Sequence, residues 1–556
     1  MTLRDLSSSK IVRPKKKISL GKPSIGALMA AVSVSALCLA APGVARAQDS
    51  NGVTTTVNSD STDLIFSSES DIDGSLAGIV AINNGSGFTD ISVTNVTSEA
   101  GAGVSVTTAS TTGELLLDAT GSITAVGGSG VYIDHDGSEV AAGYYPDVVD
   151  IDVTSVTATG GTESKYAAGI DVDASAGKYG DHLDVYITAT GAVDADDSGV
   201  LVNAKYADID IDLDSVTFGG KYGVAVTGGG ADGSFADVDV AATSEIASDA
   251  KYSSTSKYAA GVLVQAKYAD IEVDVQDVST YNSGIIVVGS GSYADQAEID
   301  IDAGAITAGS GKYGLSSGVA VQSYGALLDI ETGAITAADV GVIVIGKYND
   351  ITIDVTDDLV VDTKYGSGGS KYLLGSTGGG VLVAAGRSDI DIDVDAVTTK
   401  YSGILVYGGG ASGKYADIDV TASGDISAEY GSGVDVYADY ADIDIDVAGV
   451  TAKYVGIDVD GGGDSTSFAD IDVTATGDID AEEAGVDVYA YYADIDIDVV
   501  GVTAKYDGIE VDGGGNLTTF ADIDVTATGD IDAEEDGVDV YAYYADIDID
   551  VAGVTA

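Results

Sequence analysis

Along much of this chain, apolar and acidic residues alternate one by one. In Ala441–Ala452, Ile443, Ile445 and Val447 alternate with Asp442, Asp444 and Asp446. A period of two sends the two kinds of side chain to opposite faces of an extended strand, one face buried and one wet. A second short apolar patch follows at Val450. A third lies at Ile457 and Val459, again beside acids, Asp458 and Asp460. Gly449 and Gly461-Gly462-Gly463 divide the patches, where turns favour a residue that tolerates positive φ. No 3.6-residue pattern lies between them. The pattern predicts three short strands and no helix in every 24–28 residues.

The same pattern is copied along the chain. Phe468–Tyr492 returns at Phe520–Tyr544 with one change, Asp536 in place of Ala484, and Ala441–Ala452 returns letter for letter at Ala545–Ala556. The ADID element starts at Ala416, Ala441, Ala469, Ala493, Ala521 and Ala545, so that short and long units alternate and a pair of them spans 52 residues. Looser copies start at Ala207, Ala236, Ala269 and Ser388, and a faint one at Thr89. A unit this short cannot bury its own apolar face and must stack on its neighbours. The expectation is an all-β, right-handed parallel β-helix in which each strand pairs with its copy one unit later. At about 26 residues per coil, the 509 residues from Gln48 onward would form roughly 20 coils. At ~4.8 Å per strand such a stack rises on the order of 95 Å. An array of β-sandwich modules, each of roughly 100 residues, fits poorly because the repeat is too short. No break in composition after Gln48 marks a second domain.

Residues 1–47 follow other rules. Arg4, Lys10, Arg13, Lys15, Lys16, Lys17 and Lys22 form a basic stretch, followed by the apolar run Ile25–Ala41 and then Ala45-Arg46-Ala47. This is the order of a cleaved secretory signal, with the exported chain beginning at Gln48. Cys38 lies within the segment to be removed, so the exported chain has no cysteine and no disulfide. Its stability must come from backbone pairing and burial.

Removing the signal leaves 89 acids against 16 basic residues, a net charge of −73. A polyanion of this strength repels phosphate, which excludes nucleic acid and anionic membrane as partners. Two His in the whole chain leave little for transition-metal chemistry. In a stack, Asp442, Asp470, Asp494, Asp522 and Asp546 would form one outward column. Asp444, Asp472, Asp496, Asp524 and Asp548 would form the next. Each neighbouring pair repels by roughly 0.9 kcal/mol even at the dielectric constant of water. Screening by salt, upward shifts of some Asp pKa values and core burial can offset this. Alternatively, Ca²⁺ can bridge the columns through ~2.4 Å oxygen contacts. No complete Ca²⁺-binding motif is present: Asp194-Ala195-Asp196-Asp197-Ser198-Gly199 opens like an EF-hand loop, but Lys205 stands where its closing Glu belongs. No other cofactor is implied.

Of the 16 basic residues, fifteen are lysines, each followed by Tyr, as in Lys453-Tyr454 and Lys505-Tyr506; the sixteenth is Arg387. These pairs are expected at a coil corner, with Lys offsetting nearby carboxylates and Tyr covering the turn. Tyr437-Ala438-Asp439-Tyr440, Tyr489-Ala490-Tyr491-Tyr492 and Tyr541-Ala542-Tyr543-Tyr544 form a second aromatic column, in which alternation should turn some tyrosines inward. Catalytic constellations are weak. Gly314-Leu315-Ser316-Ser317-Gly318 matches a nucleophile elbow by letter but precedes no helix pattern. His135 and His182 each stand beside acids and read as surface residues. The alternative to a non-enzymatic repeat protein is a carbohydrate-active β-helix enzyme, a polysaccharide lyase or hydrolase. Its groove would fall in the less regular stretch 130–186, which holds both histidines and Tyr144-Tyr145-Pro146.

The long basic signal, the Ala-x-Ala site and hundreds of residues of Gly/Asp/Thr-rich β-helix repeats resemble the passenger region of Gram-negative autotransporter adhesins. The resemblance covers nearly the whole chain but rests on composition and repeat style rather than on a diagnostic motif. It implies a non-enzymatic protein on the outer cell surface or released from it. Such a protein acts in attachment or aggregation, with a host or neighbouring-cell surface, glycans or other copies as partners. It also implies contact with the outer membrane only through a C-terminal translocator barrel; the repeats run to Ala556 without one, as expected either of a fragment or of a chain exported by another route.

Overall fold

The structure, a computed structural model, describes residues 53–57 and 63–556 apart from 75–76, 84–86, 109–112, 138–146, 161–166, 177–182, 232–233, 249–258, 293–295, 310–315, 363–377 and 466. The signal segment 1–47, His182 and Tyr144-Tyr145-Pro146 lie outside the described residues.

Every named strand pairing is parallel, and each strand pairs with the equivalent strand of the next coil. The fold is the expected parallel β-helix. One sheet, the first face, is built from 18 short strands such as Val434–Asp439, Ile457–Gly462, Val486–Tyr491 and Ile509–Gly514. The other is built largely from long strands such as Ala441–Ala452 and Ala469–Ala481, whose register shifts part-way along. The shift falls between Val447 and Val450 in one such strand and between Ala475 and Asp478 in another. It divides each long strand into a second and a third face. Alternate strands have 12 and 13 residues, and the shift absorbs the extra residue as a bulge does. In less regular coils the two parts are separate strands, Ala297–Ala303 and Ile306–Ala308 for example.

The described residues thus form 18 coils rather than roughly 20, rising about 80 Å at the usual strand spacing. The difference comes from long connections in the upstream coils. Val342 and Val381 occupy equivalent first-face positions 39 residues apart, whereas Ile457 and Val486 are 29 apart.

Inside, the alternation buries continuous columns of branched side chains. Ile443, Ile471, Ile495 and Ile523 form one column, and Ile445, Val473, Ile497 and Val525 the next; all are at most 2% exposed. β-Branched residues suit this pleated, close-packed interior. His135 also faces inward. It is 2% exposed, in register with Thr108 and Ala174, and its Nδ1 lies 2.6 Å from the Thr108 hydroxyl oxygen. The expectation of a surface histidine is therefore corrected: strand alternation, not the flanking acids, decides which way it points.

Candidate functional site

The predicted Asp columns exist. Asp419, Asp444, Asp472, Asp496, Asp524 and Asp548 are successive register partners on the second face. They line an open groove of about 830 Å³. The row beside them alternates by coil: Thr421, Asp446, Thr474, Asp498, Thr526 and Asp550. The 52-residue double repeat therefore halves the charge of that row.

The outer row has a second task. Asp442 Oδ1 accepts the backbone N–H of Asp470 at 3.0 Å, and Asp494 Oδ1 accepts that of Asp522 at 2.8 Å. Ladder pairing between these strands begins only at Ile443 and Ile471, so the carboxylate stands in for a missing carbonyl. Asp470, Asp472 and Asp496 have pKa values raised above the ordinary carboxylate range. Burial is the first cause in each, and the neighbouring column carboxylates come second. Asp419, and upstream Asp300, are pushed to about 6 for the same reasons in the same order. Among the described residues no group of three or more His, Cys, Asp or Glu is set to hold a metal ion.

The tyrosines divide into two kinds. Tyr206, Tyr268, Tyr348, Tyr440, Tyr492 and Tyr544 have φ between 53° and 60°, and Arg387 has 62° at the equivalent place. All seven stand just before a second-face strand. Each such Tyr from Tyr440 on is followed by the ADID element, and its ring meets an aromatic from the preceding ADID junction edge-on. Tyr440 pairs with Tyr415, Tyr492 with Phe468 and Tyr544 with Phe520, at 6.1–6.2 Å between centroids. The Lys-Tyr pairs therefore occupy two different corners of a coil, not one. Lys205-Tyr206, Lys267-Tyr268 and Lys347-Tyr348 sit at the left-handed corner, whereas Lys400-Tyr401 and Lys453-Tyr454 precede the first face. Lys400 and Lys453 pair with Asp362 and Glu482.

The second kind stands on the outer side of the first face. Tyr437, Asp460, Tyr489, Asp512 and Tyr541 are successive partners. Tyrosine thus recurs every second coil, about 10 Å apart. Tyr489 is 48% exposed. The expectation that some of these tyrosines turn inward is corrected, because the inward positions belong to Ala438 and Ala490.

The catalytic candidates do not converge. Ser316 is fully buried, its N–H donates to Asp339 Oδ2 at 2.9 Å, and a strand rather than a helix begins at Ser317. Arg387 spends its guanidinium on Tyr348, donating to its hydroxyl at 2.9 Å. In the 130–186 stretch the described strands continue both sheets without a break in register order.

One structural set was missed from sequence. A glycine opens nearly every first-face strand: Gly433, Gly456, Gly485 and Gly508 stand in adjacent coils. A Cβ on Gly485 would overlap Val502 Cγ1 and lie 2.5 Å from the Gly508 carbonyl oxygen. The constant Gly-(Val/Ile)-x-Val spacing was the signal.

No protein-family model, no curated protein and no solved structure matches this chain.

Proposed function

We propose that the chain is a non-enzymatic repeat protein of the autotransporter-passenger kind, exported behind a cleaved signal and working outside the cell. It acts in attachment or aggregation through many weak contacts with a cell surface, with glycans or with other copies. One observation carries this reading: the outward Tyr437, Tyr489 and Tyr541 recur at two-coil intervals between acids, so this contact surface is repeated rather than confined to one coil. Exposed tyrosine offers a large contact area and a hydroxyl at low entropy cost. Repetition of weak contacts raises avidity by roughly 10²–10⁴ over a single one. Ca²⁺ would act along the Asp rows as a bridging counter-ion rather than as a catalytic metal.

An attachment assay on graded variants tests the proposal. Excising whole repeat pairs should weaken attachment in proportion to the pairs removed. Single substitutions at His135, His182, Ser316 or Arg387 should leave it unchanged. Abrupt loss from one of these single substitutions would favour the enzyme reading instead.

A further inference from the structure

The outer side of the first face changes character at one coil. Leu263, Ile286, Ile343, Leu382 and Leu405 share one outward column. The next register partners in that column are Asp435, Asp458, Asp487 and Glu510. Asp435 is therefore the first carboxylate beyond an apolar strip, and it is only 7% exposed. One of its oxygens, Oδ2, accepts the Ser402 hydroxyl at 3.1 Å. The other, Oδ1, is buried with no hydrogen-bond partner. Beside the column, Tyr407 and Tyr437 stack face to face with centroids 5.1 Å apart, and the Tyr437 hydroxyl donates to Asp458 Oδ2 at 3.3 Å.

A buried acceptor without a donor is costly, and two ionised carboxylates one strand apart are more so. We propose that Asp435 and Asp458 share one proton between adjacent coils, forming a pH-sensitive latch at the apolar-to-acidic junction of the first face. The proton comes from solvent, resides on the Asp458 oxygen not engaged by Tyr437, and is donated to Asp435 Oδ1. The pair then carries a single negative charge, and the orphan acceptor is satisfied. The groups facing Asp458 are Asp435 and Tyr437 from one neighbouring strand, Asp487 from the other, and Asp460 on its own strand. None of these is a cation, so no ion pair competes for the site. Consistent with this geometry, burial first, and then Asp435 and Asp487, push the Asp458 carboxyl up to about 7. Burial raises Asp435 as well, against the Ser432 and Ser402 hydroxyls, which lower it.

The sign follows from linkage. Folded Asp458 holds its proton at pH values where the opened chain has released it. Opening of these coils should therefore become about tenfold easier per pH unit from about pH 5 to about pH 7 and level off above that. Hydrogen exchange of the full chain, read by mass spectrometry and corrected for intrinsic exchange rates, measures this over Ile404–Gly409, Val434–Asp439 and Ile457–Gly462. Asp458→Asn, whose amide donates to Asp435 at every pH, should lose one proton's worth of that slope. Equal slopes in the parent and in Asp458→Asn would overturn the proposal. Carboxyl-carbon NMR gives a second readout that needs no substitution at Asp458. The parent should show an Asp carboxyl titrating near 7 that moves down in Asp435→Asn. If every Asp carboxyl titrated in the ordinary range, the latch would not exist.

Discussion

At the scale of the residue, the least expected choice is tyrosine at a left-handed corner. The left-handed region costs a bulky L-residue about 1–2 kcal/mol. Glycine is the usual answer, yet among the described residues Tyr stands at six such corners. The corner is over-determined. The Tyr492 N–H donates to the Gly514 carbonyl at 2.8 Å, and its own carbonyl accepts the N–H groups of Gly463 and Ala469. Its ring meets Phe468 edge-on at 6.1 Å, a contact worth about 0.5–1.5 kcal/mol. Strain and ring pairing therefore nearly cancel. Tyr492→Ala keeps the strain and loses the pair, whereas Tyr492→Gly loses the pair but relieves the strain. Urea midpoints should thus place the Gly variant above the Ala variant by about 1 kcal/mol. The reverse order would mean that the corner is not strained in solution.

At the scale of the strand, the glycine ladder shows what alternation alone does not report. Each of these glycines sits where a first-face strand leaves the corner and passes against a β-branched side chain of the third face. Gly485→Ala needs no unusual φ but forces a methyl group into Val502 and the Gly508 carbonyl. Overpacking of this kind costs about 1–3 kcal/mol, which a shift in thermal midpoint would register. An unchanged midpoint would show that the coil spacing can relax. The period of two and the letter-for-letter copies made the strands, the Asp columns and the parallel stack legible from sequence. The copies were less informative where chain length varies, so the long upstream connections hid the true coil number. Side-chain direction was misread wherever composition was used in place of alternation. His135 looked exposed because acids flank it, and the tyrosines looked half-inward because Ala438 and Ala490 were not recognised as the core positions. The burial of Asp435 was invisible because it depends on which coil adjoins the apolar strip. Left-handed tyrosines had no local signal, since φ is imposed there by bonds to residues about 22 and 29 positions away.

At the scale of the whole stack, charge and register set two further expectations. Asp171, Asp300 and Asp419 are held up to about 6 and Asp458 to about 7, each by burial first and by neighbouring carboxylates second. An unfolded Asp titrates near about 3.9. Between these values the folded chain binds more protons than the unfolded one, so stability is fullest at the acid end. It is lost as pH rises through that window and levels off above about 7. Melting temperature should therefore rise on acidification from about pH 7 to about pH 5, and added salt or millimolar Ca²⁺ should help most at the alkaline end. A melting temperature that fell steadily over that acidification would contradict the column argument. Register gives the other expectation. The loops before alternate ADID strands reach past the intervening coil to one another: Ser412 donates to Asp464 Oδ2 at 2.9 Å, and the Asn516 amide donates to the Ser465 carbonyl at 3.2 Å. These contacts span 52 and 51 residues, so the loops stack two coils apart, about 10 Å, with a tight tyrosine corner between them. Excising Ala441–Tyr492 joins Tyr440 to Ala493. It replaces one left-handed corner by another, since φ is 57° at Tyr440 and 58° at Tyr492. Loop spacing and the alternation of 12- and 13-residue strands both survive. Excising only Ala469–Tyr492 would also begin and end at ADID junctions, but it joins Phe468 to Ala493. Two loops would then crowd onto adjacent coils, Phe468 would lose its ring partner, and two 12-residue strands would meet with no bulge between them. The longer excision should therefore melt close to the parent and the shorter one well below it. Calorimetry on the two proteins decides the matter, and equal melting temperatures would show that the single coil, not the 52-residue pair, is the structural unit.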